Sequence, residues 1–422
     1  MTGATTGPSK SPTLSIRGGR ALTAAGLEPA TVTIDGELIR SVDRPGRDGP
    51  PPIAGPETGG REIDSAEIDS AEVDADGLIV APGFVDLQIN GGFGHDLAGD
   101  PWSMWALGRL LPRHGVTSFL PTIVSSPPAV TDGAIDAFAA GPPDHLGAEP
   151  LGLHFEGPML NPDRAGAHRP AHLVRPDQAI IANWSRSSGV VLVTLAPELP
   201  DAPSIIARLV AAGVTVSAGH SAAGAAEARA GIEAGATMIT HLFNAMAPLE
   251  HRSPNLVGVG LTDPTVVVGL IVDGVHVDPV VVDIAWRAKG PAGTVLITDA
   301  VAPMGRGPGA YELGRTTIFA DDLRVVDQSG RLAGSVLTMD RAVRNLLDYT
   351  GCSVAEALVA ASRTPADAIA RSDRGRLEAG AVADLVLLDD SLEVTATICR
   401  GCVAYVADDA RDRMSSSTAG ER

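Results

Sequence analysis

At 422 residues and 44% hydrophobic content, the chain is long enough for one large catalytic domain with a smaller partner, and disorder is excluded for the bulk of it. Only 3% of residues are aromatic while Gly and Ala are abundant, so small and branched aliphatics are expected to build the core. The formal net charge of -19 argues against nucleic acid and anionic membrane as partners, because binding a polyanion needs a basic footprint that releases counterions; an anionic small molecule needs only a few local Arg or His residues.

The first dozen residues, dominated by Ser, Thr, Gly and Pro, read as a loose tail without the unbroken apolar stretch of a signal peptide. No uncharged apolar run is long enough to span a bilayer. Next, LSIRGGRAL and ATVTIDGELIRSV alternate apolar and polar residues around Asp35-Gly36, a β-hairpin signature. Residues 44–61 are rich in Pro and Gly, and 62–74 run EIDSAEIDSAEVD, an acidic repeat that reads as a solvated loop expansion rather than a metal site.

From about Gly77 the pattern changes to short apolar runs, each followed by Gly, His or acidic residues and then by an Ala-rich stretch at helical spacing. Expected strands lie at 83–90, 117–122, 151–156, 190–196, 214–219, 237–241, 266–271 and 294–299. Eight buried strands alternating with helices predict an α/β fold, a (β/α)₈ TIM-type barrel. Helices are expected at 337–349 and 354–370, and the strand-rich GRLEAGAVADLVLLDDSLEVTATICRGCVAYV is expected to pair with the N-terminal hairpin. The predicted organisation is a barrel over 81–376 and a small β domain from 1–80 and 377–422, with disordered tails and an acidic loop at 44–75.

Cys352, Cys399 and Cys402 are too sparse and odd a set for a disulfide framework, which points to a cytoplasmic protein. Cys399 and Cys402 form a lone CxxC without a second pair or nearby His. On an expected strand at 397–406, an i, i+3 pair faces opposite sides, so the motif reads as structural.

Residues able to bind metal stand at the C-terminal ends of the expected strands, where barrel enzymes place their chemistry. Glu156 closes LGLHFE, His220 closes VTVSAGH, His241 closes ATMITH and Asp299 closes TVLITD. A single His after a strand is more often a cap or core residue than a ligand, but four such endings from different strands change the balance. A carboxylate and two neutral imidazoles suit one borderline divalent ion, zinc first, with iron, cobalt or manganese able to share the ligands, and leave a position for water. Asp299 is then free to take a proton. His154 shares the side of the strand that carries Glu156 and either supports that ligand or packs.

The segments APGFVDLQINGGFG, LGLHFEGPML, AGHSAA, THLFNAMAPL, DGVHVDP, ITDAVAPMG, LAGSVLTMDRAVRNL and GRLEAGAVADLVLLD, in that order, resemble the N-acetylglucosamine-6-phosphate deacetylases of the amidohydrolase superfamily. Many amidohydrolases carry an HxH pair after the first strand; this chain has Gln88-Ile89-Asn90, which resembles the subgroup working with one metal, and His95 is a poor substitute ligand. The resemblance implies release of acetate from N-acetyl-D-glucosamine 6-phosphate, with Asp299 as general base and then acid, and with His276, or else His168, as donor to the developing oxyanion. It places substrate contacts at Ala167, His168, Asn244, Ala245, Arg252 and His276, and at Leu332, Ala333 and Gly334 of the LAGS loop. It also implies a homodimer in which Arg252 crosses the subunit interface. The alternatives are the galactosamine epimer, another amidohydrolase such as a dihydroorotase, dipeptidase or deaminase, and a barrel that binds a sugar phosphate without catalysis.

Overall fold

A computed structural model describes residues 13–44, 70–142 and 146–414. Its centre is a parallel barrel of eight strands: Phe84–Ile89, Val116–Val124, Leu153–Glu156, Val190–Leu195, Thr215–Ala218, Met238–Ile239, Val267–Leu270 and Thr294–Leu296. Fully buried runs such as VVLVTL at Val190–Leu195 suit strands covered on both faces. The last strand meets the first through the Asp299 amide donating to the Gln88 carbonyl (2.8 Å) and the Asn90 amide donating to Ala300 (2.8 Å). Expected and observed strands agree, except that the sixth and eighth are short, which leaves His241 and Asp299 in the turns beyond them.

Helices follow where periodicity demands them. Ala202–Ala211 buries Ala202, Ile205, Ile206 and Leu209, one apolar stripe facing the barrel. The expected helix at 354–370 is two helices, Val354–Ala361 and Arg363–Ala368, broken at Ser362. In a continuous helix the Pro365 ring would collide with the Ala361 carbonyl. No α-helix follows the third strand; three short 3₁₀ turns fill a long loop instead. A three-stranded antiparallel sheet, Gly309–Leu313, Thr316–Ala320 and Val325–Asp327, is inserted after the eighth strand without having been expected.

Both chain ends build two further sheets. The first orders Leu38–Asp43, Thr31–Asp35, Thr13–Arg17 and Ser70–Asp74; the second orders Cys402–Val406, Val394–Cys399, Leu385–Leu388, Ile79–Pro82, Arg20–Thr23 and Gly26–Pro29. They share a core that includes Ile16, Val32, Ile34, Val80, Leu387 and Ile398. The expected hairpin is Thr31–Asp35 with Leu38–Asp43. The acidic loop expected to extend to 75 ends sooner: Ser70–Asp74 pairs in parallel with Thr13–Arg17, since alternate burial of Val73 gives it an apolar face. The rest of the repeat and both tails lie outside the described residues. The CxxC is also corrected. Arg400 and Gly401 take positive φ (47° and 76°), so the chain turns back and Cys399 faces Cys402 across a hairpin; both are free thiols.

A buried ion cluster ties this second sheet to the barrel. Arg374, 4% exposed, pairs with Glu149 ahead of the third barrel strand and with Asp384 at the entry to Leu385–Leu388. Asp384 also accepts from the Arg400 amide (2.8 Å) and gives its carbonyl to the Gly83 amide (2.9 Å). Arg374→Met keeps much of the volume but strands Asp384 without its cation, and is expected to cost about 3–5 kcal/mol in urea unfolding. A loss below about 1 kcal/mol would show that other contacts make the tie.

Candidate metal centre and active site

Four side chains reach the barrel axis from four strand ends. Glu156 ends the third strand in extended backbone, whereas His220, His241 and Asp299 take positive φ (48°, 28° and 49°). Such conformations cost non-glycine residues about 1–3 kcal/mol each and persist where the surroundings enforce them. Here they aim side chains inward just past the last ladder bond. Gly219 permits the approach, because a Cβ there would meet Thr240 Cβ at 2.9 Å and Thr194 Cγ2 at 3.0 Å.

Glu156, His220 and His241 form the metal-competent cluster among the described residues, each offering an atom within 4.8 Å of the others; His95 is not part of it. Nδ1 of His220 lies 2.9 Å from the Arg164 carbonyl, which can only accept. The neutral ring therefore carries its proton on Nδ1 and presents the Nε2 lone pair to Glu156 Oε1 (3.3 Å) and His241 Nε2 (3.0 Å). His241 Nε2 is 3.1 Å from the same carboxylate oxygen. One carboxylate oxygen and two imidazole nitrogens converging in a buried space is a donor set that fits a divalent cation. Burial pushes the Glu156 carboxyl up, but hydrogen bonding, led by His168, outweighs it and holds the group well below its ordinary value. Burial, reinforced by His168, pushes His220 down to about 4, so the ring is neutral.

The first strand supplies side-chain amide donors. Gln88 Nε2 donates to Glu156 Oε1 (2.9 Å) and Asp299 Oδ1 (3.0 Å), and Asn90 Nδ2 donates to Asp299 Oδ1 (2.7 Å). Both amides grip one oxygen of Asp299 and leave Oδ2 for chemistry. Burial, then the nearby charge of Glu156, raises the Asp299 carboxyl to about 6. The LAGS loop adds to the same edge: the Ser335 amide donates to the Asp299 carbonyl (2.9 Å) and the Ser335 hydroxyl to the Thr298 carbonyl (2.6 Å). Gly334 is obligatory there, since a Cβ would sit 2.5 Å from Val301 Cγ1.

Beneath the cluster the barrel interior is polar. His154 bridges Thr122 (3.1 Å) and Thr194 (2.9 Å), and hydroxyl contacts continue through Thr240 (2.7 Å) to Ser217 (2.5 Å). Both nitrogens of His154 are occupied, so it packs into this belt and supports the strand carrying Glu156. Above it, Glu198 accepts from Ser221 Oγ (2.7 Å), the Ala222 amide (2.6 Å) and Asn161 Nδ2 (2.8 Å), clamping the turn that carries His220. Sequence reasoning missed Glu198, although a carboxylate just after the fourth strand was a usable signal.

A cavity of about 150 Å³ opens over the cluster. Of the expected residues, Glu156, Ala167, His168, His220, Asn244, Ala245, His276, Asp299, Leu332 and Gly334 line it, and His241 completes the metal cluster. Ala333 is wholly buried and packs with Val301 and Leu313 instead of lining it. Arg252 is exposed on the turn from Glu250 to Ser253 and does not line it. Val124, Gly166 and Leu313 also line it and were not foreseen; Leu313 arrives on the inserted sheet.

The two remaining histidines differ in proton placement. His168 Nδ1 accepts from the Ser125 amide (3.1 Å), which leaves its proton on Nε2, 3.4 Å from Glu156 Oε2. His276 Nδ1 faces Asp273 Oδ2 (2.6 Å), whose carboxyl is lowered: burial opposes ionisation, but the hydrogen bond and charge of His276 outweigh it.

Residues 79–404 match the model of the amidohydrolase family. The chain is 43% identical over 350 residues to the N-acetylglucosamine-6-phosphate deacetylase of Bos taurus, covering 79% of this chain and 85% of that protein. It is 38% identical over 339 residues to the N-acetylgalactosamine-6-phosphate deacetylase of Shewanella, covering 79% and 85%. A Mycobacterium smegmatis N-acetyl-D-glucosamine-6-phosphate deacetylase, solved with N-acetyl-D-glucosamine-6-phosphate, superposes with a TM-score of 0.81 at 32% identity, covering 94% of this chain and all of that one (100%). With the matched segment spanning the whole barrel and its metal cluster, the chain belongs to the amidohydrolase family.

Proposed function

We propose that this protein hydrolyses the acetamide of N-acetyl-D-glucosamine 6-phosphate, releasing acetate and D-glucosamine 6-phosphate. The observation that carries the reading is the convergence of Glu156, His220 and His241 beside a carboxylate, Asp299, whose free oxygen faces the cavity. The names of the relatives supply the substrate. A divalent cation held by those three residues, zinc first and otherwise iron, cobalt or manganese, supplies Lewis-acid polarisation of the amide carbonyl and acidifies water.

The chain's own groups do the remaining work. Asp299, oriented by Gln88 and Asn90, takes the proton of the attacking water and returns it to the departing amine. His168 is the better oxyanion donor, because its Nε2–H lies at the metal-competent cluster on a long 3.4 Å contact with Glu156, whereas the Nδ1 proton of His276 is held at 2.6 Å by Asp273. His276 is then assigned, with Asn244, Ala245 and the backbone of Leu332, Ala333 and Gly334, to the sugar phosphate. No Arg or Lys lines the cavity among the described residues. An exposed Arg252 therefore fits a homodimer in which each subunit lends this cation to its partner's phosphate site. The same reading divides the chain into a barrel at 81–376 and a β unit from 1–80 and 377–422, in a cytoplasmic enzyme. The Shewanella relative makes the galactosamine epimer the second reading, and acetate release from both epimers with and without the 6-phosphate tests the choice.

Asp299→Asn is expected to lower kcat by about 10²–10⁴ with metal content unchanged by elemental analysis; turnover within a few-fold of the unaltered enzyme would remove Asp299 as the base. The unaltered enzyme is expected to lose kcat as pH falls through about 6 or below, where Asp299 takes up its proton, a bound cation moving that limb lower. Arg252→Ala is expected to raise KM for the phosphorylated sugar at least about tenfold, with little effect on the unphosphorylated one. Equal effects on both would remove its phosphate role.

A further inference from the structure

A second cavity, of about 210 Å³, adjoins the catalytic one, and Val124, Ala167, His168 and Leu313 line both. Val124 and Ala167 pack against the small apolar cluster that contains Leu313, so these three side chains form an apolar passage between the two spaces. Beyond it the lining changes character. Arg169, Arg315 and His172 contribute nitrogen and Ser125, Ser126 and Thr316 contribute hydroxyls; among the described residues no carboxylate lines the space, and Asp96 behind it is held by the Gly314 amide (2.8 Å). In a chain of net charge -19 this is a local excess of cationic and neutral donors. The two arginine-bearing loops also touch, Arg169 Nη1 donating to the Arg315 carbonyl at 3.4 Å.

Its position relative to the substrate follows from ring chemistry, and this step rests on the function proposed above. In a 2-acylamino-hexopyranose 6-phosphate, C2 carries the amide and C5 the phosphate-bearing arm, and these ring atoms lie opposite one another. Asn244, Ala245 and His276, assigned to the phosphate end, follow the sixth and seventh barrel strands. The second cavity is built from segments after the first three strands and from the inserted sheet, on the opposite side of the barrel mouth. With the scissile carbonyl at the metal cluster between them, the acyl carbon chain points toward Val124 and Leu313 and the space behind them.

We infer that this space is an acyl-chain subsite, and that the enzyme also cleaves N-acyl amino-sugar phosphates whose acyl group extends two or three carbons beyond the carbonyl and ends in a carboxylate, an N-succinyl group for example. The reaction is the same hydrolysis. Water adds its oxygen to the acyl carbon, the C–N bond breaks, and the products are the amine with its added proton and a dicarboxylate. Arg169 and Arg315 hold the terminal carboxylate, and the Val124 and Leu313 passage admits the methylenes.

The test compares kcat/KM for N-acetyl-, N-butyryl- and N-succinyl-glucosamine 6-phosphate. The expected result is measurable cleavage of the succinyl compound with a preference over butyryl of about tenfold or more, the worth of a charge-assisted hydrogen bond. In Arg169→Ala/Arg315→Ala that preference is lost while the acetyl rate is kept, and Leu313→Ala raises both longer acyl compounds relative to acetyl. Cleavage of acetyl without succinyl, or equal rates for butyryl and succinyl, overturns the subsite and leaves the deacetylase reading standing. Failure on the acetyl compound itself overturns the deacetylase reading and the subsite with it.

Discussion

The constraint on which the rest depends is the meeting of a buried carboxylate with two imidazole nitrogens at one point inside a barrel. Glu156 is ionised there, and His220 brings a lone pair rather than a proton, so the arrangement suits a shared cation. Much of the local structure reads as the means of enforcing that meeting. Strand ends break into positive φ at His220 and His241, Gly219 clears the space, and Glu198 clamps the turn beyond. The polar belt through His154 replaces part of the aliphatic filling that barrels ordinarily carry, and each of its hydroxyls has a partner.

Gln88 and Asn90 connect metal holding to proton transfer. At the end of the first strand both residues turn side-chain N–H donors toward carboxylates, Gln88 to Glu156 and Asp299 and Asn90 to Asp299. Gln88 thereby bridges Glu156 of the metal-competent cluster to Asp299. Asp299 therefore feels opposite influences: burial and the Glu156 charge hold its proton on, while the amides favour its ionised form. A base with a raised affinity for protons is suited to take one from water and give it up to an amine.

The substrate end of the cavity is assembled differently. Its polar lining comes from loops after the third, sixth and seventh strands and part of its apolar wall from an inserted sheet. This division suits a barrel family: the metal-competent cluster and Asp299 sit at or just past strand ends, which the rigid barrel fixes, and the longer loops are free to vary.

Several features were legible in the residues alone. Apolar runs of strand length alternating with Ala-rich helical stretches specify a parallel barrel, and acidic or His residues ending those runs specify Glu156, His220, His241 and Asp299, because both patterns are periodic and local. Gln88 and Asn90 stood out only through the family resemblance, as the absence of an HxH pair. What the residues did not disclose depends on contacts between segments far apart in sequence. The break at Ser362, the hairpin at Cys399 and Cys402, and the parallel pairing of Ser70–Asp74 are set by sterics and partners that local pattern does not encode. So too the sequence does not show which nitrogen of His168 or of His276 holds the proton. Ser125 and Asp273 decide that, and only folding brings Ser125, 43 residues distant, to the ring of His168.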